Sequence, residues 1–374
     1  MVMRRSRVNN RQSGVEQMGD WVAKRALGAL ALLAVGCSGH DILLSTGNGG
    51  GAGGRGNSAD VEGVVGDVGG TSYGGGGVGD GLDYTESGEA GRSGWVAYDA
   101  DLSAFGNPGR HIQIATTDGV CKRPLTSGAA EERQPAFSPD GKQIAFVSNS
   151  GGLFELFVMD LASGVRTQLT FENEGVSYPS WSPDGKTIAY VTADAEAYKP
   201  LNTLMLIDTA TRKTTRLTEP GRQTYTWSAF ASHDLLLVST FISLIGIHTD
   251  TQTQYEVVPY DARVPWPLSP SISPDRSLVV FSDGCDRQQQ LYVARVDGTT
   301  GDTCANAQPL APHSDELIAA SWGPNGDVAA ETGKHDIVLV ASDGAPGFTM
   351  LADTDALERN PAFAPNAVSL NCTK

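Results

Sequence analysis

Residues 133–170 read RQPAFSPDGKQIAFVSNSGGLFELFVMDLASGVRTQLT, and imperfect copies of this unit fill the C-terminal three quarters of the chain. The unit divides into four short runs rich in β-branched and aromatic side chains, each ended by a turn, which is a strand pattern. Ser138-Pro139-Asp140-Gly141 is a turn with a mechanism. Proline presets φ at the second position, Asp bonds nearby backbone, and glycine accepts positive φ. One copy therefore predicts a four-stranded antiparallel meander.

The Phe137 position recurs as Trp181, Trp227, Ile272, Trp322 and Phe363, at intervals of 44, 46, 45, 50 and 41 residues. A period near 45 with four strands per repeat predicts an all-β fold, a β-propeller with one blade per copy. The third-strand run returns as HIQIATTDG, LMLIDTATRK, QLYVARVDG and DIVLVASDG, and the fourth as CKRPLT and TTRLT. The first and last copies are incomplete in complementary ways. Trp95–Asp99, His111–Asp118 and Cys121–Thr126 supply later strands, whereas Asn360–Phe363 supplies a first strand. Joining them closes a ring of six blades and removes exposed sheet edges. The runs FELFVMD, LLLVST and IVLVAS are almost continuously apolar, as strands buried on both faces should be.

Three regions follow: a leader over 1–36, a glycine-rich linker over 37–94 and the propeller over 95–374. Met1–Arg25 holds six basic and two acidic residues and precedes an apolar stretch, Ala26–Val35. That stretch is too short to span a bilayer permanently but suits a signal-peptide core. Met18 would give a more typical signal length than Met1. Ala34-Val35-Gly36-Cys37 resembles the bacterial lipoprotein processing box, with Ala34 where leucine is usual. The resemblance makes Cys37 the lipidated N-terminus of a mature envelope protein, held in the periplasm or at the cell surface. Gly47–Gly94 contains 20 glycines in 48 residues, too little apolar surface to offset ordering entropy. A flexible tether of that size would have a root-mean-square span of roughly 40 Å.

The chain carries a net charge of −16, and loss of residues 1–36 would make it −20. Such a surface disfavours nucleic acid and anionic lipid, so membrane contact is expected through the N-terminal lipid only. Four cysteines follow Cys37, allowing three connectivities in an exported protein. Cys285 with Cys304 falls in one blade, and Cys121 with Cys372 falls in the closure blade, where a bond would lock the ring.

The six histidines are scattered, and no zinc-binding, nucleophile-elbow or phosphate-loop pattern occurs. The Asp297–Asp302 turn is a weak calcium pattern, since turn carboxylates ordinarily cap backbone. No catalytic residue, metal or cofactor is expected. In a propeller the first strand of each blade lines the central channel, so the residues before those strands converge at its mouth. These are Glu132, Arg133, Tyr178, Arg222, Tyr225, Trp266, Glu316, Glu358 and Arg359, a mixture suited to a polypeptide or small polar ligand. Blade four departs most from the repeat: it lacks Pro-Asp-Gly after Trp227 and adds apolar residues at Phe241–Ile247.

The copies FSPDGKQIAFVS and WSPDGKTIAYVT, with VMD and LIDT runs and a closing R-x-L-T, resemble the repeats of TolB, a periplasmic six-bladed propeller. The resemblance covers about residues 95–366. TolB has a separate N-terminal α/β domain, whose place here is taken by the lipobox-like site and the glycine tether. It implies a monomeric, non-enzymatic envelope lipoprotein whose propeller binds another protein or peptide. Two other classes stay open: a lactonase- or lyase-like propeller enzyme with a channel metal, and a carbohydrate-binding or sensory module. An aromatic platform on one face would favour the glycan reading.

Overall fold

The computed structural model describes residues 94–103, 109–172, 174–193, 202–219, 223–240, 242–259, 267–283, 290–297, 308–310, 316–340, 348–352, 356–365, 368 and 370. The leader, the tether up to residue 93, and Cys37, Arg222, Trp266, Cys285, Cys304 and Cys372 lie outside them.

The described residues form six four-stranded antiparallel sheets. Blade 1 joins β24 (Leu357–Phe363) to β1 (Trp95–Asp101), β2 (Arg110–Thr116) and β3 (Lys122–Pro124). Blade 2 is β4 (Glu132–Phe137), β5 (Gln143–Ser148), β6 (Glu155–Asp160) and β7 (Arg166–Gln168). Blade 3 is β8 (Val176–Trp181), β9 (Thr187–Ala193), β10 (Asn202–Asp208) and β11 (Thr214–Arg216). Blade 4 is β12 (Ser228–Phe230), β13 (Leu235–Ser239), β14 (Leu244–His248) and β15 (Gln254–Val258). Blade 5 is β16 (Pro267–Ile272), β17 (Leu278–Asp283), β18 (Leu291–Arg295) and β19 (Gln308–Pro309). Blade 6 is β20 (Leu317–Trp322), β21 (Val328–Thr332), β22 (Ile337–Val340) and β23 (Phe348–Ala352). The ring closes as the repeats require: β24 pairs with β1 in the register Val96↔Phe363, Ala97↔Ala362 and Asp99↔Arg359.

Two recurring polar devices explain the motif. In the Ser-Pro-Asp-Gly turn, Ser138 Oγ donates to Asp140 Oδ1 at 2.7 Å and accepts the Gln143 N–H at 2.9 Å. The same Asp140 oxygen accepts the Lys142 N–H at 3.1 Å, while Gly141 sits at φ +68°. Ser182, Asp184 and Gly185 repeat this geometry, with φ +70° at the glycine. The closing threonine ties the fourth strand to the third. Thr126, Thr170 and Thr218 each accept, through Oγ1, the backbone N–H of a residue 14 positions earlier, at 2.9–3.0 Å.

Apolar packing is organised by seam rather than by blade. Along β5, Ile144 and Phe146 point into the cluster shared with blade 1, and Ala145 and Val147 into the cluster shared with blade 3. All four are essentially buried, which is why such strands read as continuous apolar runs rather than as alternating ones. Six such clusters occupy the six seams.

Blade 4 corrects the alignment drawn from sequence. Phe230 pairs with Leu236 as Phe137 pairs with Ile144, so Phe230 and not Trp227 occupies the Phe137 position. The intervals are then 44, 49, 42, 50 and 41 residues. The apolar residues at Leu244–His248 are the third strand, with Leu244, Ile245 and Ile247 buried.

Candidate functional site

Six innermost strands, β24, β4, β8, β12, β16 and β20, surround the axis and enclose a cavity of about 340 Å³. Each contributes equivalent positions. One cavity-lining position, just before the residue that ends the strand, is small in every blade and forms a ring of small residues: Ala136, Ser180, Ala229, Ser271, Ser321 and Ala362. Some of these serines also join neighbouring blades. Ser271 Oγ accepts the Trp322 N–H at 2.8 Å, and Ser321 Oγ accepts the Phe363 N–H at 2.9 Å. Two positions before the small ring, the strand is disrupted in four blades by an X-Pro pair: Gln134-Pro135, Tyr178-Pro179, Ser269-Pro270 and Asn360-Pro361. The ladder register slips at each pair, and each X residue has φ between +51° and +56°. The proline lacks a ladder donor, and the bulge turns the preceding side chain toward the cavity. Trp227 holds the same position in blade 4.

Three of these X residues, Gln134, Tyr178 and Asn360, are wired together across the blades. The Tyr178 N–H donates to Gln134 Oε1 at 2.8 Å, and the Gln134 N–H to Asp99 Oδ1 at 3.0 Å. Asn360 Nδ2 donates to the same Asp99 oxygen at 2.8 Å, and the Asn360 N–H to Glu331 Oε2 at 3.2 Å. Tyr178 in turn packs against Trp227, ring centroids 4.5 Å apart at 46°. A single chain of contacts therefore runs from blade 6 through blades 1, 2 and 3 to blade 4. Asp99 is fully buried, and burial pushes its carboxyl above the usual carboxylate range against the pull of Arg110, whose Nη1 lies 3.3 Å away.

The expected mouth residues divide. Tyr178 lines the cavity. Glu132 is buried, accepting from Thr126 Oγ1 and Arg166 Nη1 at 3.1 Å each and lying 2.8 Å from His111 Nδ1. Glu358 is likewise buried and meets Lys122 Nζ at 3.0 Å. Tyr225 is in the seam between blades 3 and 4, its backbone N–H and C=O held by the Asn202 amide. Arg133 pairs with Glu131 and lies 4.7 Å above the Phe154 ring. Arg359 is 14% exposed between Glu331 and His335. Glu316 is exposed, its carbonyl accepting the Gly333 N–H. The cavity side chains that sequence reading missed, Gln134, Trp227, Ser269 and Asn360, carry one usable signal: three of them precede a proline inside a strand pattern.

Cys121 is disulfide-bonded, and the other cysteines lie outside the described residues. Among the described residues no group of three His, Cys, Asp or Glu side chains is placed to hold a metal ion.

Residues 110–240 match the family model of the Tricorn protease N-terminal beta propeller domain. The Protein TolB homolog of Chlorobium luteolum is 40% identical over 53 residues, 14% of this chain and 12% of that protein. The Tol-Pal system protein TolB 1 of Novosphingobium aromaticivorans is 37% identical over 71 residues, 19% of this chain and 16% of that protein. The matched stretches thus span under a fifth of either relative's length. The crystal structure of TolB from Acinetobacter baumannii superposes with a TM-score of 0.61 at 21% identity, covering 73% of this chain and 67% of that one. The fold carried by this chain is a TolB-like six-bladed β-propeller.

Proposed function

We propose that this protein is a non-enzymatic scaffold of the bacterial cell envelope that binds another polypeptide on the propeller face where the innermost strands begin. One observation carries the reading. Strand direction puts the loops before β6, β8 and β14 and the start of β24 on that face, and Leu153, Phe171, Ile242 and Leu357 there are 50, 74, 46 and 39% exposed. Four exposed large apolar side chains on one face, which also carries the charged Arg133 and Glu316, suit a protein partner. The TolB resemblance supports the envelope setting, and Cys37 is the proposed lipid anchor that would hold the propeller there. Replacing Cys37 by serine should move the protein from the membrane to the soluble envelope fraction.

Site-specific photo-crosslinking in intact cells tests the surface. Crosslinkers at Leu153, Phe171 and Ile242 should give an adduct with the same envelope protein, whereas Val120 and Val165 on the opposite face should not. Equal capture from both faces, or none from the first, contradicts the reading. Charge reversal at Arg133 should weaken capture; because it also breaks the contacts with Glu131 and Phe154, the melting temperature is measured beside it. Arg359, only 14% exposed between Glu331 and His335, is the less suitable of the two.

A further inference from the structure

The cavity inside the ring differs in chemistry from the rest of this acidic chain. None of the described residues lining it carries a charge. They comprise prolines, small residues, aromatic rings, serine hydroxyls and the two amides Gln134 and Asn360. The network behind the wall fixes both amides. Gln134 uses Oε1 to accept from the Tyr178 N–H, which leaves its Nε2 donor for a ligand. Asn360 uses Nδ2 to donate to Asp99, which leaves its Oδ1 acceptor. Tyr178 and Trp227, both half-buried, add an angled pair of aromatic surfaces on one side.

We infer that this axial cavity, framed by Gln134, Tyr178, Trp227 and Asn360, binds a neutral saccharide of one or two rings. An uncharged wall gives no counter-charge to a buried carboxylate, phosphate or ammonium, whose desolvation would go uncompensated. A polyol needs what the wall offers: a donor, an acceptor, hydroxyl partners, and an aromatic surface against which the C–H face of a pyranose stacks. The volume of about 340 Å³ is at the small end of ligand pockets, which span roughly 300–1,000 Å³. This site is separate from the exposed apolar side chains proposed to bind a protein, so either can fail without the other.

The test uses the full chain. Tryptophan emission is followed on titration with maltose, cellobiose and chitobiose, with glucuronic acid and glucosamine as charged counterparts, and with a wider array of neutral glycans. At least one neutral sugar should shift emission saturably, and the charged sugars should bind at least tenfold more weakly. Trp227→Ala should weaken binding at least tenfold. Because that change could disturb the packing against Tyr178, Gln134→Glu provides a smaller one. It keeps the acceptor for Tyr178 but removes the donor and adds a charge, so tenfold weakening is expected. Sedimentation with an insoluble neutral polysaccharide separates a polymer ligand from a free sugar. Failure of every neutral glycan to bind, equal binding of charged sugars, or binding indifferent to Gln134→Glu overturns the assignment.

Discussion

At the residue scale, the repeat motif is a set of backbone solutions, and its lapses are informative. Gly141 and Gly185 share a left-handed conformation, but their surroundings differ. A Cβ on Gly185 would meet Pro139 Cγ at an ordinary 3.6 Å, whereas one on Gly141 would stand 2.5 Å from Val368 Cγ2. Gly185→Ala should therefore cost about 1–2 kcal/mol, the left-handed penalty alone. Gly141→Ala should cost roughly 1–3 kcal/mol more, from overpacking against the C-terminal segment. Urea denaturation of both variants measures the difference, which should shrink when the chain is truncated after Pro365, whose own Cγ stays 3.3 Å from the added Cβ. The turn aspartates supply a second check. Hydrogen bonds from Ser273 and then Ser277 hold the Asp275 carboxyl down to about 2. A depressed folded-state value means that the stabilisation is present above the unfolded range, near 4, and is lost as pH falls toward 2. Asp275→Asn should flatten that part of the stability–pH curve, and an unchanged acid limb would show that the turn contributes nothing there.

At the element scale, the innermost strand carries two jobs that its sequence discloses unequally. The large residue that ends it and the Ser-Pro-Asp-Gly turn that follows are visible as a repeat because both are fixed by local backbone chemistry. Which side chains face the cavity was not legible, because a bulge at each X-Pro pair shifts the alternation within the strand. Reading on from Arg133 by simple alternation misses Gln134, and the same slip separates Arg359 from Asn360. In blade 4 the aromatic residue of YTWSAF drew the alignment to Trp227, since the turn after Phe230 lacks the proline and glycine that mark blades 2, 3 and 6. The seam serines were equally hidden, because their role is to accept a bond from a strand some 40–50 residues away. Ser271→Ala and Ser321→Ala should each cost about 1–3 kcal/mol by leaving the Trp322 and Phe363 N–H groups unpaired. Thermal unfolding of each variant and of the pair would show it, and a change within a few tenths of a kcal/mol would mean that water replaces the hydroxyl.

At the scale of the whole molecule, the ring exists because its first repeat supplies three strands of a blade and its last supplies the fourth. Asp99, Asn360 and Glu331 join the closure seam to the cavity wall, and Val368 and Leu370 pack over the seam between blades 1 and 2. The cavity and the face around it are therefore properties of the closed ring rather than of any one repeat. Closure was legible because incomplete copies at the two ends of a periodic sequence have few other places to go. The partner was not, because partner choice depends on surface side chains that carry no period. Hydrogen exchange on the full chain, read by mass spectrometry, tests closure most directly. Amides of Leu357–Phe363 paired with β1 should exchange as slowly as those of β4–β6, opening only with global unfolding. Exchange of that strand at the rate of an exposed loop, while blade 2 stays protected, would mean that the ring is open and the cavity unformed.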